Sequence, residues 1–139
     1  MAHDDCIFCK IIDGSIPSEK IYEDSDVVAF LDINPTRPGH ALVVPREHTK
    51  DFISSDPALL SRAIAGVQKV AGKVMSAMDA DGFVLAALNG PAAGQEVFHL
   101  HFHVIPRKEG DGALIGFGPK TPYKEGEIAE VADKIRAAG

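Results

Sequence analysis

The feature that most constrains the fold is a run of alternating histidine and apolar residues, His99-Leu-His-Phe-His-Val-Ile105. Successive side chains of a β-strand point to opposite faces of a sheet. The three histidines would therefore share one face, while Leu100, Phe102 and Val104 pack into the core. The run predicts a strand, at Val97–Ile105, with an apolar side and a side available for chemistry.

The other predicted elements define the fold class. Apolar and β-branched runs predict three further strands, at Val27–Leu31, Ala41–Val44 and Phe83–Leu88. Asp56-Pro57 is typical of a helix start, and apolar residues recur at helical spacing from there to Met78, which predicts one long helix. A short helix is expected at Glu125–Ala137. Since helices and strands do not alternate regularly, we expect an α+β fold with a largely antiparallel sheet. Residues 1–139 should form one domain.

Charge and hydropathy limit the classes of partner. The 139 residues carry a formal net charge of −6 and no block of Lys or Arg, so the basic surface that binds a nucleic acid polymer is not expected. A few local donors would still suffice for a small phosphate ligand. The acidic start has no pattern of a secretory signal, and no apolar run approaches the length of a membrane span. We expect a cytoplasmic protein that does not bind membranes.

The three histidines allow more than one interpretation. His99 and His103 begin about 13 Å apart along a strand, at roughly 3.3 Å per residue. Metal–nitrogen bonds are only about 2.0–2.1 Å long, so the spacing disfavours one ion held by all three rings. A neighbouring pair with a third ligand from elsewhere stays open, as does a row of surface histidines without function.

Without a metal, a histidine row can supply a nucleophile. Neutral imidazole attacks phosphorus and carries protons near pH 7. One ring nitrogen must attack while the other keeps its proton on a fixed acceptor. The middle ring has possible partners on both sides, so His101 is the best candidate. The upstream segment Gly94-Gln95-Glu96 could present donors to an anion, although an ordinary loop would have the same composition.

The run resembles the signature of the histidine-triad (HIT) family, in which histidines alternate with apolar residues. The resemblance covers most of the chain and is carried also by Ile16-Pro17, Val28–Ile33, Pro38–Pro45 and Asn89–Arg107, together with Cys6–Ile12. It resembles in particular the Hint-like branch of nucleoside phosphoramidases. The loop Gly90–Gln95 is similar to the Fhit branch of dinucleoside polyphosphate hydrolases.

The resemblance implies a HIT-type fold, with a sheet that continues across a homodimer, and a covalent mechanism. His101 would attack the α-phosphorus, the His99 carbonyl would orient its ring, and His103 would contact the α-phosphate or the leaving group. Upstream, His40 matches a further active-site histidine, and Gln95 matches a polar residue beside the phosphate. No cofactor is expected to take part in the chemistry. The implied function is hydrolysis of a purine nucleoside phosphoramidate or related nucleotide; hydrolysis of dinucleoside polyphosphates, or a regulatory nucleotide-binding role with incidental hydrolysis, are alternatives.

The resemblance also implies how a purine nucleotide would be bound. Asp32 would accept both ribose hydroxyls, since a carboxylate has two acceptor oxygens, and apolar residues would hold the base. The complete implied set is Ile7, Phe8, Ile11, Asp32, Ile33, Asn89, Gln95, Glu96 and Val97. Glu96 departs from the family pattern, in which better-known relatives have a Ser or Thr hydroxyl near the leaving group.

The two cysteines form a separate candidate site. Cys6 and Cys9 have the Cys-x₂-Cys spacing of half a zinc site. Some bacterial proteins that the chain resembles complete such a site with a histidine after the Val-Pro strand and the first triad histidine, which here are His48 and His99. Four protein ligands would make the zinc structural. Buried reduced thiols and a reversible redox pair are the alternatives.

Overall fold

The computed structural model describes residues 5–114 and 119–138. Within them the elements are α1 (Ile7–Asp13), β1 (Lys20–Glu23), β2 (Val27–Leu31), β3 (Ala41–Pro45), α2 (Pro57–Ala77), β4 (Gly82–Ala86), a short 3₁₀ helix (Pro91–Ala93), β5 (Phe102–Arg107) and α3 (Glu127–Ala137). Residues 1–4, 115–118 and 139 of the expected single domain lie outside the described part.

The five strands form one sheet in the order β1-β2-β3-β5-β4, and every neighbouring pair is antiparallel. This architecture confirms the predicted α+β class and antiparallel sheet. The histidine-bearing strand β5 lies between β3 and the edge strand β4, with His103 opposite Leu42 on one side and Ala86 on the other. The C-terminal half of the histidine run therefore lies within the sheet, one strand from its β4 edge.

Helices α2 and α3 cover one face of the sheet and enclose the larger core. Asp56 caps α2 as predicted, because its side chain accepts a hydrogen bond from the Ala58 N–H. The helix packs closely on the sheet at Gly66, where an added Cβ would lie 2.5 Å from a Val27 methyl group. The buried residues of this core include Ala29, Leu31, Val43, Val67, Val70, Val74, Leu100, Phe102, Val104, Val131 and Ile135.

The short helix α1 packs on the opposite face of the sheet. It was not expected from the sequence, because its seven residues are too few to display a helical repeat. Phe8 contacts Phe30 edge to face, with 5.5 Å between ring centroids. The second, smaller core formed here contains Cys6, Phe8, Cys9, Ile11, Val28, Phe30, Leu42 and Val44. This face of the sheet also carries the histidine side chains.

The histidine strand differs from its prediction in extent. The predicted strand covers Val97–Ile105, whereas β5 is Phe102–Arg107. The preceding residues are extended but bond to a loop instead of a strand; the Leu100 N–H donates to the Thr49 carbonyl at 2.7 Å. Side chains still alternate, since Leu100, Phe102 and Val104 all enter the larger core. The predicted sorting of the run into two faces therefore holds.

Among residues 5–114 and 119–138, no helix combines the length and the apolar composition that crossing a membrane requires.

Candidate functional site

A cleft of about 540 Å³ opens between α1, the loop that follows β2 and the segment before β5. One wall is apolar and the other end carries histidine and charged side chains. Most of the predicted site residues line it. The lining set is Ile7, Phe8, Ile11, Ile16, Pro17, Ser18, Phe30, Leu31, Asp32, Ile33, Asn34, Leu42, Leu88, Gly94, Glu96, Val97, His101, His103 and Lys120.

The His101 ring is held in one tautomer. Its Nδ1–H donates to the backbone carbonyl of His99 at 2.8 Å, which leaves Nε2 as the nitrogen with a free lone pair. The ring lies edge to face with Phe8, 5.0 Å between centroids. Burial lowers the pKa of His101, so the neutral ring is favoured at pH 7. A buried, oriented and neutral imidazole is the state that a histidine nucleophile needs.

His103 lines the polar end of the cleft and forms a hydrogen-bonded pair with His40, which is fully buried and does not line the cleft. The Thr36 N–H donates to His40 Nδ1 at 3.1 Å, so a neutral His40 carries its proton on Nε2. That Nε2–H donates to His103 Nδ1 at 2.9 Å, which leaves His103 with its own proton on Nε2. The chain of bonds makes His103 a hydrogen-bond donor.

The pKa values of this pair agree with two neutral rings. Burial lowers the pKa of His40 to about 4, opposed by the Asp32 carboxylate and aided by Lys120. Burial also lowers the pKa of His103 to about 3, helped by the positive charge that His101 and His40 would carry if they were protonated and by that of Lys120. Although Asp32, His40 and His103 could surround a metal ion, the hydrogen bond between the two rings accounts for their arrangement.

Asp32 follows β2 at the rim of the cleft. One carboxylate oxygen accepts a hydrogen bond from the Asn34 N–H at 2.9 Å, and the other lies 3.7 Å from His40 Nε2. Ile33 is beside it and is 81% exposed, as an apolar residue at the mouth of a binding site would be. Ile7, from α1, is also exposed at this mouth. The expected acceptor and apolar residues are thus brought together.

Two predicted polar residues hold loops and do not line the cleft. The Gln95 side chain is buried; it accepts from the Gly90 N–H at 2.8 Å and donates to the Lys50 and Val97 carbonyls. The Asn89 side chain accepts from the Phe52 N–H at 2.8 Å. Both residues therefore fix the segment that leads to Glu96 and Val97, which do line the cleft.

A second cluster, adjacent to the cleft, has the donor set and spacing of a zinc site. Nδ1 of His99 lies 3.4 Å from Cys6 Sγ and 3.6 Å from Cys9 Sγ, and Nδ1 of His48 lies 3.4 Å from Cys9 Sγ. In a tetrahedral zinc site, a sulfur and a nitrogen ligand are about 3.6 Å apart. The distances among the four residues are therefore compatible with tetrahedral zinc, and three of the four are buried.

The orientation of His99 links the two sites. Its Nε2–H donates to the Pro45 carbonyl at 2.8 Å, so its Nδ1 is the nitrogen available to a metal. Its backbone carbonyl accepts from His101 Nδ1–H. The same residue thus presents its side chain to the cysteine cluster and its carbonyl to the ring in the cleft.

Sequence reasoning missed Lys120, which lines the cleft from a Gly- and Pro-rich segment near the C-terminus. No periodicity or motif marks this residue. It reaches the cleft because the Thr121 N–H donates to the Pro35 carbonyl at 2.8 Å, a contact between residues far apart in sequence.

Comparison with known proteins agrees with this architecture. The profile of the HIT domain matches residues 13–110. An uncharacterised HIT-like protein of Methanocaldococcus jannaschii is 47% identical over 131 residues, which cover 94% of this chain and 98% of that protein. The adenylylsulfatase HINT3 of Arabidopsis thaliana is 41% identical over 107 residues, or 77% of this chain and 54% of the plant protein.

A solved structure gives the same fold. A zinc-bound histidine triad family protein from Mycobacterium smegmatis superposes with a TM-score of 0.83 at 35% identity, covering 96% of this chain and 91% of that one. Fold and cleft together define a small α+β protein with an oriented histidine in a half-apolar cleft. The chain belongs to the HIT family.

Proposed function

We propose that this protein hydrolyses a purine nucleoside phosphoramidate, or a related nucleotide, at the α-phosphate through a nucleotidyl-histidine intermediate. The observation that carries the proposal is the His101 ring, which is buried in the cleft with Nδ1 bonded to the His99 carbonyl and Nε2 left as the nucleophilic nitrogen. A hydrolase that belongs to the same family, the plant adenylylsulfatase, supports the reaction class.

The first chemical step forms an N–P bond and breaks the bond to the leaving group. His101 Nε2 attacks the α-phosphorus, and the leaving group departs with the bonding electron pair and takes up a proton from the solvent, which the second step returns. The positive charge that develops on the ring is stabilised by the Nδ1–H···O=C bond to His99. His103, protonated on Nε2, would donate to a phosphate oxygen.

The second step returns the enzyme to its starting state. A water molecule attacks the same phosphorus, the N–P bond breaks, and its electron pair returns to Nε2 of His101. The products are a nucleoside monophosphate and a proton. Burial favours the neutral His101 ring. The ring therefore departs from phosphorus as a weakly basic leaving group and is ready for the next cycle.

The substrate class follows from the two ends of the cleft. The apolar wall of Ile7, Phe8 and Ile11 suits a planar base, which is held by area and stacking. The carboxylate of Asp32 suits the vicinal hydroxyls of a ribose. Glu96 lines the cleft directly after the loop Gly90–Gln95. Its negative charge there would favour a cationic amine leaving group over an anionic one.

The experiment that tests the proposed function is a substrate panel that varies only the leaving group. Adenosine phosphoramidates, diadenosine polyphosphates and adenylyl sulfate would be compared, with formation of AMP as the common measurement. We expect turnover of all classes that leave AMP, fastest for the phosphoramidates. Preference for a polyphosphate would identify a dinucleoside polyphosphate hydrolase. Tight AMP binding without turnover of any member would favour a regulatory nucleotide-binding protein.

We expect Asp32→Ala to weaken AMP binding by about one to two decades, since a hydrogen bond to a charged group contributes about 1.5–3 kcal/mol. Calorimetric titration would measure it. A matched control is Asp13→Ala, because Asp13 also accepts a hydrogen bond from a backbone N–H two residues on, at 2.8 Å from Ser15, but lies outside the cleft. Equal affinity of the wild type for ribose and 2′,3′-dideoxyribose nucleotides would refute the assignment.

We also propose that the protein is a homodimer. Phe83 and Leu85 of the edge strand β4 are 43% and 47% exposed, and their registers with Pro106 and Val104 place both on the α2 side of the sheet. Ile64, on the outer side of α2, is 47% exposed. An apolar patch beside a free strand edge is typical of a sheet that continues into a second copy.

We expect sedimentation to find a dimer at micromolar concentration and Leu85→Arg to shift it toward monomer, because a buried unpaired charge is costly at an interface. Ile33→Arg is the control, since Ile33 is exposed at the cleft mouth near the opposite edge of the sheet. Only monomer in the wild type would contradict the proposal.

A further inference from the structure

Without a cation, the charged residues that line the cleft would repel a phosphate ligand. Two of the lining residues are acidic, Asp32 and Glu96. The hydrogen bonds that fix the tautomers of His40, His101 and His103 are those of neutral rings, so the histidines add no formal charge. Among the described residues, Lys120 is the one Lys or Arg that lines this cleft. A nucleotide phosphate, with at least one negative charge, would otherwise face a net negative site.

The segment that contains Lys120 is fixed to the loop that supports the histidines. The Thr121 N–H donates to the Pro35 carbonyl at 2.8 Å, and the Thr121 hydroxyl donates to the Thr36 carbonyl at 3.0 Å. The Gly39 N–H donates to the Tyr123 hydroxyl at 3.0 Å. Thr36 is the residue whose N–H bonds His40. Lys120 is thus placed by two anchored neighbours, one and three residues further along the chain.

Lys120 lines the same cleft as His101 and His103. Burial is the main cause of the lowered pKa of His40 and of His103, and the charge of Lys120 adds to this lowering at both rings. His103, which carries its own proton on Nε2, lines this cleft as a hydrogen-bond donor. A lysine ammonium is a compact, mobile point charge on a flexible stem and is well suited to a phosphate oxygen.

We propose that Lys120 binds the phosphate of the nucleotide, as the cation that compensates its charge beside His103. This inference rests on the proposed function, since it assumes that the cleft takes a nucleotide. It gives the C-terminal segment a direct role in the site. It also predicts that Lys120 contributes to the affinity for a ligand with a phosphate and not to the affinity for the nucleoside alone.

The test compares AMP with adenosine as probes, each titrated into the wild type, Lys120→Met, Lys120→Arg and Lys124→Met. Lys124 lies four residues further on, is exposed and does not line the cleft, so it is the matched control. We expect Lys120→Met to weaken AMP binding about 10- to 100-fold and to leave adenosine binding unchanged. Lys120→Arg should restore most of the AMP affinity, and Lys124→Met should match the wild type.

The other outcomes separate failure of the Lys120 proposal from failure of the proposed function. Unchanged AMP affinity in Lys120→Met overturns the proposal, and so does an equal loss for AMP and adenosine, which would indicate disturbance of the pocket. If the wild type binds neither probe, the proposed function itself fails. Because Lys120 is exposed, its substitution should leave the melting temperature unchanged, which a thermal scan of the same samples checks.

Discussion

His101→Ala is expected to abolish turnover, with a fall in kcat of more than about 10⁴-fold, while the fold and the nucleotide pocket persist. Proton-transfer assistance alone contributes about 10²–10⁴-fold, so loss of a covalent route should exceed that range. The fold should persist because Leu100 and Phe102, on either side, carry the core packing, and the His101 ring faces the cleft. The measurements are kcat with the preferred substrate, AMP affinity and melting temperature on the same preparation.

Chemical rescue provides the control for this variant. In His101→Gly, added imidazole could enter the vacated space and recover part of the rate, because the missing group is then supplied in solution. Normal AMP affinity in the inactive variant would separate a loss of chemistry from a loss of binding. If His101→Ala keeps a tenth or more of the wild-type rate, the covalent mechanism is wrong and the histidine row must be interpreted as a binding surface.

Loss of zinc is expected to have the second largest effect, on stability more than on catalysis. We propose that Cys6, Cys9, His48 and His99 hold one structural zinc ion. Metal binding to a closed site is coupled to folding and contributes several kcal/mol, and about 4 °C in Tm accompanies each kcal/mol in a domain of this size. Cys9→Ser should therefore lower Tm by at least about 10 °C, with a much smaller change in rate per folded molecule.

The control for this variant is Lys10→Ser, which introduces the same side chain at the next residue of α1, outside the donor set. Its Tm should stay close to that of the wild type, and elemental analysis should find zinc in the wild type and in Lys10→Ser only. Wild-type protein purified without chelator that lacks zinc and has two freely reactive thiols would end the proposal. A redox pair or simple buried thiols would then remain.

The sequence was most informative where the chemistry is local. The alternation in the histidine run correctly places the histidines on one face and Leu100 and Phe102 on the other. Successive side chains of an extended chain point to opposite faces, so this assignment needs no long-range information. The Cys-x₂-Cys spacing likewise indicates half of the proposed zinc site. The other half, His48 and His99, came from family resemblance, since no spacing rule relates residues this far apart.

The remaining parts of the site depend on long-range contacts that no local pattern encodes. Lys120 is brought to the cleft by a bond between Thr121 and Pro35, which are 86 residues apart in number. Gln95 was expected beside the phosphate, but its side chain makes three hydrogen bonds within the loops. A sequence identifies a polar residue near a site, whereas the folded chain decides whether it faces the ligand or the backbone.

The central claim, a covalent intermediate on His101, is tested most directly by trapping it. Wild-type protein would be mixed with an adenosine phosphoramidate, quenched under alkaline conditions and examined by intact and peptide mass spectrometry. We predict a base-stable, acid-labile adenylyl group on the peptide that contains His101, formed at a rate consistent with turnover and absent from His101→Ala. Turnover without any such adduct, together with loss of activity on adding a chelator, would contradict the account and point to metal-assisted hydrolysis.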